Sequence, residues 1–198
     1  MSLDAGLYLV PEGYLAAVVT HLETTAVAVP DSLFPDDVSI EKDVPSVERY
    51  RSLFRAIGAP WLWTSRLKLS DADLAEILSH QDVEVWLLRR NGIDIGVVEL
   101  DFRVAGECEL AFFGLIPTET GGGLGKAMMS FAQKRGFSRP IKRFHLHTCT
   151  LDSPKAVPFY LASGLRPTRR EVEIFEDPRL AGYLGEATAP QHPLINPK

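Results

Sequence analysis

Residues 107–135, ECELAFFGLIPTETGGGLGKAMMSFAQKR, decide how the rest of the chain is read. An apolar run ending at Ile116-Pro117 is followed by a polar turn, then by four glycines within five residues, Gly121, Gly122, Gly123 and Gly125. Leu124, Met128 and Phe131 then recur at helical spacing. The order is strand, glycine loop, helix. Each glycine forfeits about 0.5–1 kcal/mol against alanine inside an ordered element, so the run asks for a compensating role. The head of a helix supplies one: its first N–H groups have no partner within the helix, and without Cβ atoms an anion can approach them closely. A flexible turn accounts for glycine, but not for glycine at that position.

Spacing removes two nucleotide loops. Gly125-Lys126 matches part of a Walker loop, but Thr120 stands where its first glycine belongs and Ala127 where its Ser/Thr belongs. The dinucleotide pattern G-x-G-x-x-G, started at Gly123 and Gly125, meets Met128 in place of its third glycine. What remains resembles motif A of the GNAT acetyltransferase superfamily, a strand followed by Arg/Gln-x-x-Gly-x-Gly/Ala and a helix. Thr120-Gly121-Gly122-Gly123-Leu124-Gly125 carries its glycines, with Thr120 in place of Arg/Gln. A second motif of that family, a strand and then a helix with a tyrosine before a Gly-Phe pair, resembles LHTCTLDSPKAVPFYLASGL, residues 146–165, with Tyr160 and Gly164-Leu165. The resemblance covers residues 83–166, and the flanks follow by element order.

It implies an α/β (α+β) fold: a mixed, mostly antiparallel central sheet flanked by helices, with a parallel strand pair splayed at the cofactor site. It also implies direct transfer of an acetyl group from acetyl-CoA to an amine acceptor. On this resemblance the coenzyme pyrophosphate falls at Thr120, Gly121, Gly122, Gly123, Leu124, Gly125 and Lys126. Phe113, Gly114 and Leu115 fall on a strand bulge that holds the acetyl carbonyl and pantetheine, with the Leu115 N–H as oxyanion donor. Tyr160 matches the tyrosine that hydrogen-bonds the coenzyme sulfur, and Ser153 stands where the family often places an asparagine.

An amine acceptor with a pKa near ~10.4 must lose a proton before it attacks. Glu109, on the motif strand, is the chosen base; Glu99 and Glu107 are substitutes, and a solvated sheet-edge glutamate is the bland reading of the same residue. His145, His147 and Cys149 alternate on one strand and share a face, which suits either a metal or proton removal. With a fourth ligand missing, no metal is expected. Trp61 and Trp63, in GAPWLWTSRLK, serve equally as walls of an acceptor pocket or as buried aromatics, and Arg66 is a candidate for an acidic group. A module that binds acyl-CoA without catalysis is the alternative, motivated by Thr120 and the unsettled base; nucleotide hydrolysis is a weaker third.

The bulk properties fit this reading. At 198 residues and 45% hydrophobic, the chain suits one domain, residues 1–184, with the proline-bearing stretch 185–198 as a loose tail. No window approaches the ~20 apolar residues of a membrane span, and MSLDAGLYLV has no basic region or cleavage site, so a cytoplasmic location is expected. A net charge of −5 with only short arginine pairs argues against a nucleic-acid partner. Two cysteines, Cys108 and Cys149, on predicted strands read as reduced thiols. The remaining partners are acetyl-CoA and the amine, in a monomer or homodimer.

Local signals place the other elements. Residues 7–10 read as a short strand and Tyr14 starts a longer one; Val47, Tyr50, Phe54 and Ile57 recur as a helix, and Ser70 with Asp73 heads another over 71–79. Asn91-Gly92 joins two strands as a hairpin, a strand follows over 143–151 parallel to the motif strand, and Arg170–Phe175 is the last strand. Pro158 requires a kink or a late start in the helix after Ser153.

Overall fold

A computed structural model describes residues 3–196. The strands are β1 (Tyr14–Thr24), β2 (Val38–Asp43), β3 (Val83–Arg90), β4 (Ile93–Asp101), β5 (Glu107–Leu115), β6 (Arg143–Cys149) and β7 (Arg166–Glu176); the helices are α1 (Val47–Gly58), α2 (Asp71–Ser79), α3 (Leu124–Phe137) and α4 (Ala156–Ala162). All seven strands form one sheet in the order β2-β3-β4-β5-β6-β1-β7. Every pairing is antiparallel except β5 with β6.

Local chemistry sets the ends of these elements. Ser70 accepts the Asp73 N–H at 3.1 Å and caps α2. Asn91 (φ 50°) and Gly92 (φ 79°) turn the β3–β4 hairpin, where Asn and Gly tolerate positive φ best. Pro158 lies in the first turn of α4, which begins at Ala156, so its missing N–H costs no helical bond.

Two layers cover the sheet. Met128, Met129 and Ala132 of α3 pack on Val98, Leu100, Leu110, Phe144 and Leu146. On the other face Tyr50, Phe54 and Ile57 of α1 and Leu74 and Leu78 of α2 pack on Val85, Leu87 and Val97. β1 lies between β6 and β7, pairing His21 with both His147 and Arg169. The amino-terminal strand thus completes the half of the sheet that holds the second motif.

Two expectations are corrected here, and one strand is added. Residues 7–10 are not a strand but an exposed approach to the Pro11–Tyr14 turn. Val38–Asp43, assigned no element from its sequence, is a sheet-edge strand. The expected loose tail is held down: Arg179, 4% exposed, pairs with Asp177 at 2.6 Å and donates to the His192 carbonyl at 2.7 Å. Leu184 and Ala189 are buried in the same core as α1. Both cysteines are free, Cys108 buried and Cys149 partly so.

Candidate functional site

The parallel pairing of β5 and β6 is short. It runs over Glu107–Arg143, Cys108–Phe144 and Glu109–His145 and then stops, while β5 stays on β4 and β6 stays on β1. Beyond Glu109 the two strands diverge and leave a wedge. Ile116 donates its N–H to Ile95 O on the β4 side at 2.9 Å. Alternation along the strand therefore turns the amides of Leu115 and Phe113 away from β4, into the wedge.

A bulge sits at the mouth of this wedge. The β4–β5 register passes from Glu99–Phe112 to Leu100–Leu110, leaving Ala111 unpaired. The extra residue inverts the facing of the strand beyond it, so Phe112 joins the core under α1 and Phe113 turns to the opposite face. There Phe113 stacks on Phe159 at 5.9 Å between ring centroids and meets Tyr160 edge-on at 6.4 Å. The bulge expected at Phe113-Gly114-Leu115 is thus corrected to Ala111. Gly114 has a packing role as well, because a Cβ there would lie 2.4 Å from Ile57 Cγ2.

The glycine loop closes the wide end. Gly121 and Gly123 hold φ of 89° and 90°, and added Cβ atoms at Gly121, Gly122 or Gly123 would meet nothing within 4 Å. The first backbone bond after the turn at Thr120 runs from the Lys126 N–H to Gly123 O, so among the described residues the N–H groups of 121–125 have no backbone acceptor. Gly123 caps α3 without any side-chain bond. Loop and helix head form a row of free donors over open space, the arrangement that suits a diphosphate.

A family model for the acetyltransferase (GNAT) family matches residues 50–165. The chain is a member of the GNAT family. Solved structures agree on the fold. A functionally unknown conserved protein from Staphylococcus epidermidis ATCC 12228 superposes with TM-score 0.64 at 16% identity, over 83% of this chain and 63% of its own. A GCN5-related N-acetyltransferase from Kribbella flavida gives 0.56 at 18% identity, over 86% and 63%. An aminoglycoside N-acetyltransferase in complex with CoA gives 0.51 at 20% identity, over 70% and 95%. The chain spans less than two thirds of the length of the first two. No curated protein matches it by sequence.

The GNAT wedge gathers some expected residues and sets others aside. Tyr160 is half-buried at its α4 wall; burial, then Asp152, push its phenol up, and it has no hydrogen-bond partner among the described residues. Glu109 stands at the vertex with its carboxylate 3.5 Å from His147 Nδ1. That contact holds Glu109 below the usual carboxylate range and lifts His147 above the ordinary imidazole value. His145 behaves oppositely, lowered by burial and by Arg143, and lies 3.3 Å from Glu107. A cavity of about 270 Å³ opens at the vertex, lined by Asp101, Arg103, Val104, Glu107, Glu109 and His145. Among the described residues no group of three or more His, Cys, Asp or Glu is placed to hold a metal ion.

Arg66 is corrected. Its Nη2 bonds Glu99 Oε1 at 2.5 Å, and the Tyr50 hydroxyl donates to the other oxygen of Glu99, which is fully buried. Arg66 is therefore committed to a core carboxylate, and Glu99 is withdrawn as a substitute base by the same pair. Trp63 is a packed, anchored side chain: its ring packs with Phe54 and Phe112, and its N–H donates to Asp152 at 2.8 Å, tying the α1–α2 connection to the end of β6. Trp61 is half-buried in the 3-10 turn Ala59–Trp61. Leu124 is buried in the core, so only its backbone reaches the loop, whereas Lys126 is exposed. The Thr120 hydroxyl is folded onto Pro117 O at 2.8 Å, and Ser153 accepts the Lys155 N–H at 3.3 Å.

Asp152, Phe159 and His21 escaped sequence reasoning. Asp152 also accepts the Thr148 hydroxyl at 2.6 Å and the Cys149 N–H at 2.9 Å. Its place just past a strand with alternating ligand-type residues was the available signal. His21 carried none, because its neighbours lie more than a hundred residues away in sequence.

Proposed function

We propose that this GNAT protein transfers an acetyl group from acetyl coenzyme A directly to an amine. One observation carries the reading: the β5–β6 wedge opens at Glu109, holds the Phe113 and Leu115 amides along one wall and Tyr160 on another, and ends at the free N–H row of residues 121–125. Each demand of the reaction has a group there. The loop amides, with Lys126, hold the diphosphate; each exposed helix-terminus interaction is worth about 0.3–1 kcal/mol, so the row acts together. The Leu115 N–H meets the carbonyl oxygen as negative charge develops on it. Glu109, already ionised beside His147, accepts the acceptor's proton. The Tyr160 phenol, kept protonated by burial, donates to the departing thiolate.

Thiol release with a panel of amines tests this. Wild type should turn over with at least one acceptor, and Glu109→Gln should lower the rate by about 10²-fold, the lower end for a general base. The His147 imidazole, followed by its NMR titration, should show an inflection above the ordinary imidazole value, and that inflection should move down in Glu109→Gln, because His147 then loses the carboxylate that lifts it. Tight coenzyme binding without turnover for any amine would instead favour a binding module. The specific observation on that side is Thr120, whose hydroxyl is turned to Pro117 and away from the loop amides.

A further inference from the structure

The sheet ends on two unlike edges. β2 closes one side with six residues, and its charges are already taken: Glu41 and Asp43 by Arg89, Asp43 also by Arg49, and Lys42 by Glu84. β7 closes the other side with eleven residues, all of them exposed except Phe175. One edge of β7 is paired with β1, and among the described residues nothing bonds to the main-chain groups of its outer edge. A long open row of amides and carbonyls is a template for a further strand. Pro167 and the register break at His21/Leu22 disturb only its start; from Arg169 to Glu176 the pairing with β1 runs without interruption.

Two features select the strand that fits. The first is the order of charges. Arg166, Arg169 and Arg170 fill the first half of β7, and Glu171, Glu173 and Glu176 fill the second. A strand with its cations at one end and its anions at the other is complementary to itself run in the opposite direction, whereas a parallel copy would set like charges side by side. The second is an uncovered apolar strip. On the face opposite the one where Phe175 joins the α1 core, Val172 and Ile174 are 48% and 46% exposed, beside Val18 and Ala16 of β1.

We propose that β7 is a dimerisation edge: the β7 strands of two copies of this chain pair antiparallel about a twofold axis at Glu171 and join the two sheets into one. In full overlap Arg169 of each copy stands opposite Glu173 of the other. Arg170 stands opposite Val172 and lays its methylenes over that apolar side chain. Glu171 faces its own counterpart, but within its chain it is already held by His21 at 2.7 Å and by Arg169 at 3.3 Å. The twofold makes every other contact twice. This inference does not depend on the acetyltransferase reading.

Sedimentation velocity of the full chain over a range of concentrations tests it. Wild type should form a dimer. Arg169→Glu, or Glu173→Arg, sets like charges opposite each other at both symmetry-related places and should raise the dissociation constant about tenfold. Both changes in one chain exchange the two signs and should restore the dimer. An equimolar mixture of the two single variants should dimerise as well, because one then supplies acids and the other bases along the same seam. Restoration by the second change or by mixing separates the seam from a folding defect, and unchanged melting temperatures in the single variants check the same point. A wild type still monomeric at about 100 μM, a concentration far above the dissociation constant of a stable dimer, overturns the proposal. So does a dimer that neither reversal weakens, or a weakened one that neither the double change nor the mixture restores.

Discussion

The two halves of the sheet use the same residue types for opposite ends. Across β2, β3 and β4, charges are closed on one another. Asp94 is shared by Arg49 at 2.7 Å and Arg89 at 3.0 Å, Glu84 is fully buried between Arg135 and Arg139, and Glu99 is fully buried between Arg66 and Tyr50. Across β5, β6, β1 and β7 carboxylates meet imidazoles instead, nearer to solvent: Glu109 with His147, Glu107 with His145, Glu171 with His21. A carboxylate held by a bidentate arginine in a dry core has no proton to trade. One beside an imidazole at a wedge does. Helices α1 and α2 make the difference, since they lie over the first half and leave the histidine-bearing face uncovered.

The contrast breaks most visibly at Glu99. Glu99→Ala leaves Arg66 charged and buried without its partner, an effect of about 3–5 kcal/mol, readable as a lower urea midpoint. Glu109→Gln, a carboxylate of the open half, should leave that midpoint in place. A Glu99 variant as stable as wild type would erase the distinction between the halves.

Glu84 gives the next largest effect. Burial alone would raise its carboxyl, but Arg135, Trp86 and Lys42 together hold it down at about 2. A folded pKa below the unfolded value of about 4.5 means that the stabilisation is complete above pH ~4.5 and is lost as pH falls towards ~2, about 3 kcal/mol in all. Chemical denaturation across that window should show the slope in wild type and a flatter one in Glu84→Gln. Equal slopes would mean that the carboxylate does not anchor the end of α3.

Tyr160→Phe sharpens the comparison from the open side with the smallest change. A phenol pushed up by burial is a poor acid towards a thiolate, so its removal should slow turnover about tenfold, near 1.4 kcal/mol, with coenzyme affinity within twofold of wild type. A loss of affinity equal to the loss of rate would make Tyr160 a packing residue for Phe113 and Phe159.

Much of the frame was legible because it is written locally. The hairpin at Asn91-Gly92, the cap at Ser70 and the glycine run each act within a few residues, and all three stand where they were read. β2 was missed because six residues with three charges and nearby prolines carry too little alternating apolar pattern, and only pairing with β3 makes them a strand. The bulge was misplaced by a few residues because a glycine marks either a bulge or a close contact, and here Ile57 took the space above Gly114. Arg66 was misread for a related reason: nothing near it in sequence announces that Glu99, 33 residues on, will occupy it.

By itself, then, the sequence determined the strand, glycine loop and helix, the family they belong to, and the tyrosine that comes after them, because backbone conformation and helix-head hydrogen bonding depend on adjacent residues. Tertiary structure alone decided that β1 would slot between β6 and β7 and bring His21 to His147, that Arg66 would be spent on Glu99, and that Arg179 would tie the tail to the body. Those outcomes depend on which distant groups share a desolvated space, and that pairing is settled only when the whole core closes.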